Sequence, residues 1–239
     1  MIKKEETKMY SYTADIHCAA DKPHECVLII NPQNPDQSGE KLKAILKAAR
    51  KEFAVIHVFL QDTLQSCFSG TTVIARKKGT QWIEDHRHIL GDLADKIVRW
   101  DVVKNDPGFA KKREAVEILR EFDKNGRQII HMACARYAIH KINVLKSQGR
   151  SYDERTLMRL MVNYAQEEIA GIAVIHSLCS CPELYVEERY GDQHVFGRLN
   201  QDMSEIDLTI PKVYEVTFMI KYTIESEGFI SEEKKLKKV

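Results

Sequence analysis

The apolar positions near the start of the chain predict a strand, a helix and a second strand in succession. Residues 26 to 30 form a continuous apolar run rich in β-branched side chains, which is typical of a strand buried on both faces of a parallel sheet. Turn-forming residues follow at 31 to 36, an amphipathic helical pattern begins at Gly39, and a second apolar run occupies residues 53 to 60. Because ligands on such β-α-β sheets bind beyond the carboxyl ends of the strands, we expect a site at the loops 31 to 36 and 61 to 65.

Helical patterns dominate the rest of the chain. We predict helices at 71 to 96, 109 to 122, 128 to 145 and 153 to 177, and strands at 97 to 100, 184 to 187 and 213 to 220. The last helix is the best defined, since Asp153 is a suitable N-cap and its apolar residues lie close to one stripe. The predicted fold class is α/β, with a mainly parallel sheet flanked by helices in one domain over residues 23 to 230. We expect a poorly ordered lead-in at 1 to 22 and a charged, frayed tail at 231 to 239.

The composition is that of an ordinary globular protein. The 239 residues are 44% hydrophobic and 30% charged, which argues against disorder and against a fibrous fold. No apolar run approaches the roughly 20 residues that are needed to cross a bilayer, and residues 1 to 8 are charged rather than signal-like. We therefore expect a cytoplasmic protein with no membrane partner.

Cysteine spacing and the absence of known motifs argue against a metal site and against the classical nucleotide enzymes. Of six cysteines only Cys179 and Cys181 are close together, and no second pair stands at zinc spacing. We expect reduced thiols and no metal. The chain has no glycine-rich phosphate loop, nucleophile elbow or metal-binding helix motif, which disfavours the classical nucleotide enzymes.

Three clusters of basic residues stand out, although the net charge is only +1. They are Lys43, Lys47 and Arg50 at helical spacing, the run Arg76, Lys77 and Lys78, and the run Lys111, Lys112 and Arg113. A low net charge means that any polyanionic partner must be held by a local patch. Each cluster is consistent with such a patch or with a solvated helix face.

Tyr164 and Glu168 form a pair on the best-defined helix. They are four residues apart, so their side chains lie on one face, one turn from each other. A carboxylate on an apolar stripe is costly unless a cation or hydrogen-bond donors meet it. Glu168 is therefore either paired within the protein or placed to receive a positively charged ligand group. Glu167 points about 100° away and is predicted to be exposed.

Two tryptophans and two histidines are weaker candidates for a place in the site. Trp82 and Trp100 lie in amphipathic patterns and are predicted to be core residues rather than ligand-stacking ones. His57 and His176 are candidate acid-base groups because they are histidines, but the sequence gives neither a recognisable partner.

Several short motifs follow one another in order along most of the chain. They are residues 39 to 42, residues 61 to 65, Gly79 with Trp82, residues 99 to 101, residues 164 to 170 and residues 187 to 190. In this order and spacing they resemble the cyclodipeptide synthases, enzymes with a Rossmann-like fold related to class I aminoacyl-tRNA synthetase catalytic domains. The resemblance implies a Rossmann-like domain that works without a cofactor.

The resemblance also implies a reaction and its residues. Cyclodipeptide synthases join the amino acids of two aminoacyl-tRNAs into a diketopiperazine ring. Tyr164 and Glu168 match the pair that holds the ammonium of the first aminoacyl group, and Tyr190 matches a later pocket tyrosine. The remaining expected contacts are with substrate at Asn34, Asp62 and Gln65, and with tRNA phosphates at Lys43, Lys47, Arg50, Arg76, Lys77 and Lys78.

One position departs from the family pattern. Asn31 stands where the family has the serine that accepts the first aminoacyl group, and an amide nitrogen is not such a nucleophile. In one reading the two aminoacyl esters react directly while Asn31 donates a hydrogen bond to the developing oxyanion. In a second reading Ser38 or another group replaces the nucleophile, and in a third the protein binds aminoacyl-tRNA without turnover. A general nucleotide-binding protein ranks last, since it requires a phosphate-binding loop.

Overall fold

The computed structural model describes residues 13 to 17, 24 to 66, 70 to 122, 124 to 147, 149, 151 to 179, 184 to 187 and 216 to 221. The strands in these ranges are β1 Thr13–His17, β2 Glu25–Ile30, β3 Val55–Leu60, β4 Val98–Arg99, β5 Leu184–Glu187 and β6 Val216–Lys221. The α-helices are α1 Gly39–Glu52, α2 Thr72–Leu90, α3 Trp100–Lys104, α4 Phe109–Phe122, α5 Lys124–Ser147 and α6 Glu154–Leu178. Single 3₁₀ turns occupy Pro35–Gln37 and Thr63–Gln65, and a longer 3₁₀ segment occupies Gly91–Lys96.

The two predicted apolar runs lie side by side in a parallel sheet of order β2-β3-β4. Cys26 pairs with Ile56, and Ile30 pairs with Leu60. The crossover helix α1 buries its apolar stripe against this sheet and packs on α2. The predicted β-α-β unit is confirmed, and both strands end at the same edge, where Asn31 and Gln61 follow them.

A second sheet has the order β1-β6-β5. Its strand β5 runs parallel to β6 and lies beside β2, whereas β1 runs antiparallel to β6. β1 lies within the stretch 1 to 22, for which the sequence predicted no element. Its partners come from the far end of the chain, with Asp15 opposite Met219, and a local pattern does not reveal such a distant pairing.

The three long helices α4, α5 and α6 pack against one another. Their contact buries Val116, Ile130, Cys134 and Met161 completely. This burial raises the pKa of the Cys134 thiol to about 11, because the thiolate loses its hydration. At the start of α6 the predicted N-cap is confirmed, since Asp153 accepts a hydrogen bond of 2.8 Å from the Thr156 N–H.

One predicted helix and the strand predicted after it are both shorter than expected. The predicted helix at 71 to 96 ends at Leu90, because Gly91 adopts a left-handed φ of 61° and a 3₁₀ segment follows. The predicted strand at 97 to 100 is reduced to Val98–Arg99, and Trp100 begins α3. None of the helices in the described ranges is both long and apolar enough to cross a bilayer.

Candidate active site

The strand end at Asn31 is fixed by the turn that follows it. The Asn31 N–H donates to Oε1 of Gln37 at 2.7 Å, and Nε2 of Gln37 donates to the Ile29 carbonyl at 3.0 Å. The Asn31 side chain accepts from the Gln33 N–H through Oδ1 at 2.9 Å, in an Asx turn. Among the described residues none accepts a hydrogen bond from Nδ2 of Asn31. The turn therefore holds the Asn31 amide by its oxygen and leaves its N–H₂ group as a donor for a ligand.

The turn after β3 brings two glutamines to the helix α6. Nε2 of Gln61 donates to Oε1 of Glu168 at 2.9 Å, and Nε2 of Gln65 donates to the hydroxyl of Tyr164 at 3.0 Å. Tyr164 in turn donates to the same Oε1 of Glu168 at 3.4 Å. All four side chains are buried. The predicted Tyr164–Glu168 pair thus lies at the carboxyl end of β3, beneath the loop that was expected to line the site.

The buried carboxylate of Glu168 accepts hydrogen bonds from its neighbours. Glu168 is 6% exposed, and its Oε1 accepts hydrogen bonds from the neutral donors Gln61 and Tyr164. These donors hold the carboxylate oxygen in a fixed position. Chemically, a carboxylate held in this way can accept hydrogen bonds from a ligand ammonium.

Asp62, which follows Gln61, has a different set of contacts. Its carboxylate is fully buried and binds the Arg99 guanidinium in an ion pair, with Nε of Arg99 at 2.7 Å. The Trp100 N–H donates to its other oxygen at 3.3 Å. Gly79 allows this contact, since a Cβ there would lie 2.5 Å from the Cβ of Asp62. Asp62 therefore joins the β3 loop, α2 and β4, and its predicted contact with substrate stays a prediction.

Glu167, which was predicted to be exposed, is instead largely covered, with 17% of its side chain exposed. It accepts from Nε1 of Trp100 at 3.2 Å and from Nζ of Lys104 at 3.0 Å, and Arg113 lies 4.0 Å away. The prediction was wrong because α3 and α4 pack against this side of α6. Adjacent carboxylates thus face different partners, Glu168 towards the glutamines and Glu167 towards cations.

A cavity of about 260 Å³ lies between the two strand-end loops and α2. Its lining residues are Pro32, Gln33, Asp62, Gln65, Ala75, Lys78, Gln81, Trp82 and Asp85. Gln65 belongs both to this cavity and to the Tyr164–Glu168 cluster. The cavity and the cluster are therefore neighbours at the edge of the sheet.

Solved structures of cyclodipeptide synthases resemble this chain over most of its length. The synthase from Fluoribacter dumoffii gives a TM-score of 0.71 at 17% identity, covering 88% of this chain and 99% of that one. The synthase from Candidatus Glomeribacter gigasporarum, solved bound to Phe-tRNAPhe, gives 0.58 at 16% identity, covering 88% and 92%. A Mycobacterium tuberculosis protein, whose structure relates cyclodipeptide synthetases to type I tRNA synthetases, gives 0.53 at 10% identity, covering 93% and 99%.

The chain has the cyclodipeptide synthase fold. The expected Rossmann-like α/β class is thereby confirmed. No protein-family model matches the sequence, and no curated protein matches it.

In this cyclodipeptide synthase fold, some of the predicted tRNA-binding side chains already have partners within the protein and others do not. Lys43 pairs with Glu40 at 3.1 Å, Arg50 donates to the Leu90 carbonyl at 2.8 Å, and Arg76 forms an ion pair with Asp101. Three predicted tRNA-binding side chains are exposed and have no ion-pair partner within the described ranges, namely Lys47, Lys77 and Lys78. They lie on α1 and α2, which pack against each other. These three are the better candidates for contact with a polyanion.

The remaining predicted residues fall in three groups. Asn34 closes the turn after β2 with its backbone, donating to the Asn31 carbonyl at 2.9 Å, and is half-buried. Trp82 and Trp100 are core residues as predicted, with exposures of 6% and 0%. Tyr190 lies outside the described residues, so its predicted role stays a prediction.

The sequence patterns did not indicate that Gln37 and Arg99 organise the site. Gln37 is a turn residue whose side chain bonds to backbone six and eight positions earlier, and no periodic pattern signals such a bond. Arg99 stands at the end of β4, and a charge at a strand end that is otherwise apolar was the available signal for a buried pair. In the described ranges no group of His, Cys, Asp and Glu is placed to hold a metal ion.

Proposed function

We propose that this protein is a tRNA-dependent cyclodipeptide synthase, an aminoacyltransferase that forms a diketopiperazine from two aminoacyl-tRNAs in the cytoplasm. The observation that carries the proposal is the buried cluster of Gln61, Glu168, Tyr164 and Gln65 at the carboxyl end of β3. The fold supports it, and one synthase with the same fold has been solved with Phe-tRNAPhe.

The cluster suits the ammonium of an aminoacyl group. An aminoacyl ester presents a cationic ammonium next to its carbonyl, and Glu168 supplies a buried negative charge for it. Charge-assisted hydrogen bonds of this kind are about twice as strong as neutral ones. Gln61 and Tyr164 hold the carboxylate oxygen in place, so little reorganisation is needed when the ligand binds.

Asn31 fits the role of an oxyanion donor rather than that of a nucleophile. Its Oδ1 is held by the Gln33 N–H, which leaves Nδ2 to donate to a carbonyl oxygen. In the proposed reaction, the amine of one aminoacyl group attacks the ester carbonyl of the other. An amide bond forms, the ester bond breaks, and the amine proton ends on the departing ribose hydroxyl. A second aminolysis within the dipeptidyl ester closes the ring and releases the second tRNA.

Covalent catalysis by Ser38 is the competing route for the same function. Oγ of Ser38 donates to the Pro35 carbonyl at 2.9 Å, within the turn that precedes α1. A serine that attacks an ester needs its proton removed by a base, and a backbone carbonyl is not one. We therefore favour direct aminolysis.

A second candidate function is binding of aminoacyl-tRNA without turnover. The observation in its favour is Asn31 itself, which stands at the position of the expected nucleophile. The two functions share the ammonium site and the tRNA surface, so only product formation separates them.

The test is to incubate the protein with tRNAs charged with each of the twenty amino acids and to search for diketopiperazines by mass spectrometry. Cyclodipeptides that disappear in Glu168→Gln establish the synthase. Tight binding of aminoacyl-tRNA without any cyclodipeptide would instead establish the binding protein. A stable aminoacyl-enzyme in acid-quenched samples would contradict direct aminolysis, and its loss in Ser38→Ala would locate the nucleophile.

A further inference from the structure

Trp100 lies between the loop after β3 and the helix α6. It is fully buried, in the core cluster that also contains Leu64 of that loop and Tyr164 of α6. Burial alone accounts for its apolar ring, as the sequence predicted. Its two N–H groups do more, because one binds the loop and the other binds the helix.

The backbone of Trp100 is bound to the loop. Its main-chain N–H donates to Oδ1 of Asp62 at 3.3 Å, and the preceding residue, Arg99, binds the other oxygen of the same carboxylate. Asp62 directly follows Gln61, whose side chain donates to Glu168. The backbone of Trp100 is therefore fixed to the loop that carries the donors of the candidate site.

The indole of Trp100 contacts α6 at two points. Its Nε1 donates to Oε1 of Glu167 at 3.2 Å, and its ring lies so close to Gly171 that an added Cβ there would overlap with Cη2 and Cζ2. Glu167 and Gly171 are four residues apart, which is about 6 Å along the helix axis. A rigid ring that is held at two points along the axis opposes both rotation and sliding of α6.

The hydrogen bonds of the candidate site differ in how they depend on the placement of α6. The bond from Tyr164 to Glu168 lies within α6 and moves with the helix. The bonds from Gln61 to Glu168 and from Gln65 to Tyr164, of 2.9 and 3.0 Å, cross from the loop to α6. Because hydrogen bonds weaken steeply beyond about 3.2 Å, a displacement of α6 by about 1 Å would break both crossing bonds and keep the internal one.

We propose that Trp100 is a positioning residue of the ammonium site. It fixes the rotation and the axial position of α6 against the loop after β3, and so places Glu168 and Tyr164 opposite Gln61 and Gln65. The inference rests on the proposed function for the identity of the ligand. The placement of these side chains, in contrast, can be measured without any ligand.

The test follows the side-chain amide signals of Gln61 and Gln65 in a ¹H–¹⁵N NMR spectrum, assigned with Gln61→Met and Gln65→Met. Gly171→Ala introduces a methyl group that collides with the indole, although alanine is the better helix former. We expect both pairs of signals to shift towards those of exposed glutamines. Adding Trp100→Phe to this variant leaves room for the methyl group, and the signals should return part of the way.

Glu167→Leu tests the second contact point without a collision. It removes the acceptor of the indole N–H, so we expect the signals of Gln61 and Gln65 to shift in the same direction. Glu167→Gln keeps an oxygen acceptor and should leave them in place. Leu46→Ala is the control for a general loss of stability, because it opens a cavity in a core cluster that contains no residue of α6, and it should also leave them in place.

Binding gives a second readout, which a loss of stability alone would not change. A displaced Glu168 makes poorer contact with an ammonium. Gly171→Ala should therefore lower the preference for aminoacyl-tRNA over the same tRNA with an N-acetylated amino acid, by about threefold to tenfold. Leu46→Ala should retain the preference of the wild type.

Unchanged signals of Gln61 and Gln65 in both Gly171→Ala and Glu167→Leu would overturn the inference, and so would equal shifts in Leu46→Ala. A wild-type protein that shows no preference for the charged aminoacyl group would contradict the proposed ammonium site. The glutamine signals would still report whether Trp100 positions α6. The failure of the inference and the failure of the proposed function are therefore distinguishable.

Discussion

Nε2 of Gln61 lies 2.9 Å from Oε1 of Glu168, and this hydrogen bond joins residues that are 107 positions apart in the sequence. It connects the loop after β3 to the helix α6. Through it, the end of a buried strand fixes the orientation of the carboxylate that is proposed to bind the ammonium. The position of the Glu168 carboxylate therefore depends on a polar contact between the loop after β3 and α6.

Replacing Gln61 by Met should weaken the binding of aminoacyl-tRNA. Met has a similar length but no donor, so Glu168 loses one of the bonds that orient it. Hydrogen bonds to charged groups contribute about 1.5 to 3 kcal/mol, and we expect affinity to fall roughly tenfold or more. Gln128→Met, at an exposed position on α5, is the control. Equal affinities of the two variants in a filter-binding assay would show that Gln61 does not position the carboxylate.

The ion pair of Asp62 and Arg99 should dominate the stability of this edge of the sheet. Asp62 is fully buried and Arg99 is 17% exposed, so Arg99→Met leaves a buried carboxylate without its cation. Breaking such a pair costs about 3 to 5 kcal/mol. Arg87→Met removes the exposed ion pairs with Glu84 and Asp95 and should destabilise the protein much less, because water and salt screen exposed charges. Urea unfolding measures the free energy of unfolding of both variants. An equal loss in the two would show that the buried ion pair stabilises the protein no more than the exposed pairs do.

Binding of tRNA should be concentrated on the exposed lysines that form no ion pair with any residue that the structure describes. Reversing the charge at Lys47 or Lys77 should weaken tRNA binding and lower the slope of log affinity against log salt by about one for each phosphate that is no longer bound. Lys124→Glu makes the same charge change on α5 and serves as the control. If all three variants show the wild-type slope, Lys47 and Lys77 belong to an ordinary solvated surface.

The cap of α6 should make stability depend on pH at the acidic end. The hydrogen bond with Thr156 holds the pKa of Asp153 below its usual value. The ionised carboxylate therefore stabilises the folded state above the unfolded pKa of about 3.9, and this contribution is lost as the pH falls through the lower folded pKa. Asp153→Ala should lower the Tm at neutral pH, and the difference from wild type should shrink below about pH 4. A difference in Tm that is constant with pH would show that the charge of Asp153 plays no part.

The predictable parts of this protein are those that local pattern determines. The strands β2 and β3, the amphipathic helix α1 and the cap at Asp153 follow from neighbouring residues, and so does the placement of Tyr164 and Glu168 on one helix face. That spacing alone indicated that a cation or hydrogen-bond donors must contact the carboxylate of Glu168.

The parts that could not be predicted depend on contacts between distant segments. β1 exists because it pairs with β6, at the far end of the chain, and no pattern within residues 13 to 17 reveals that partner. Glu167 is covered because Trp100 and Lys104 reach it from α3, so helical geometry alone gave the wrong exposure. The pairing of Gln61 with Glu168 likewise requires the tertiary fold.

The proposed binding of an aminoacyl ammonium by Glu168 is measured most directly by comparing aminoacyl-tRNA with the same tRNA bearing an N-acetylated amino acid. Acetylation removes the positive charge and leaves the ester, the nucleoside and the phosphates in place. We predict that the wild-type protein binds the charged form at least about tenfold more tightly, that Glu168→Gln abolishes this preference, and that the neighbouring Glu167→Gln retains it. A preference that persists in Glu168→Gln, or that is absent from the wild type, would show that Glu168 does not bind the ammonium.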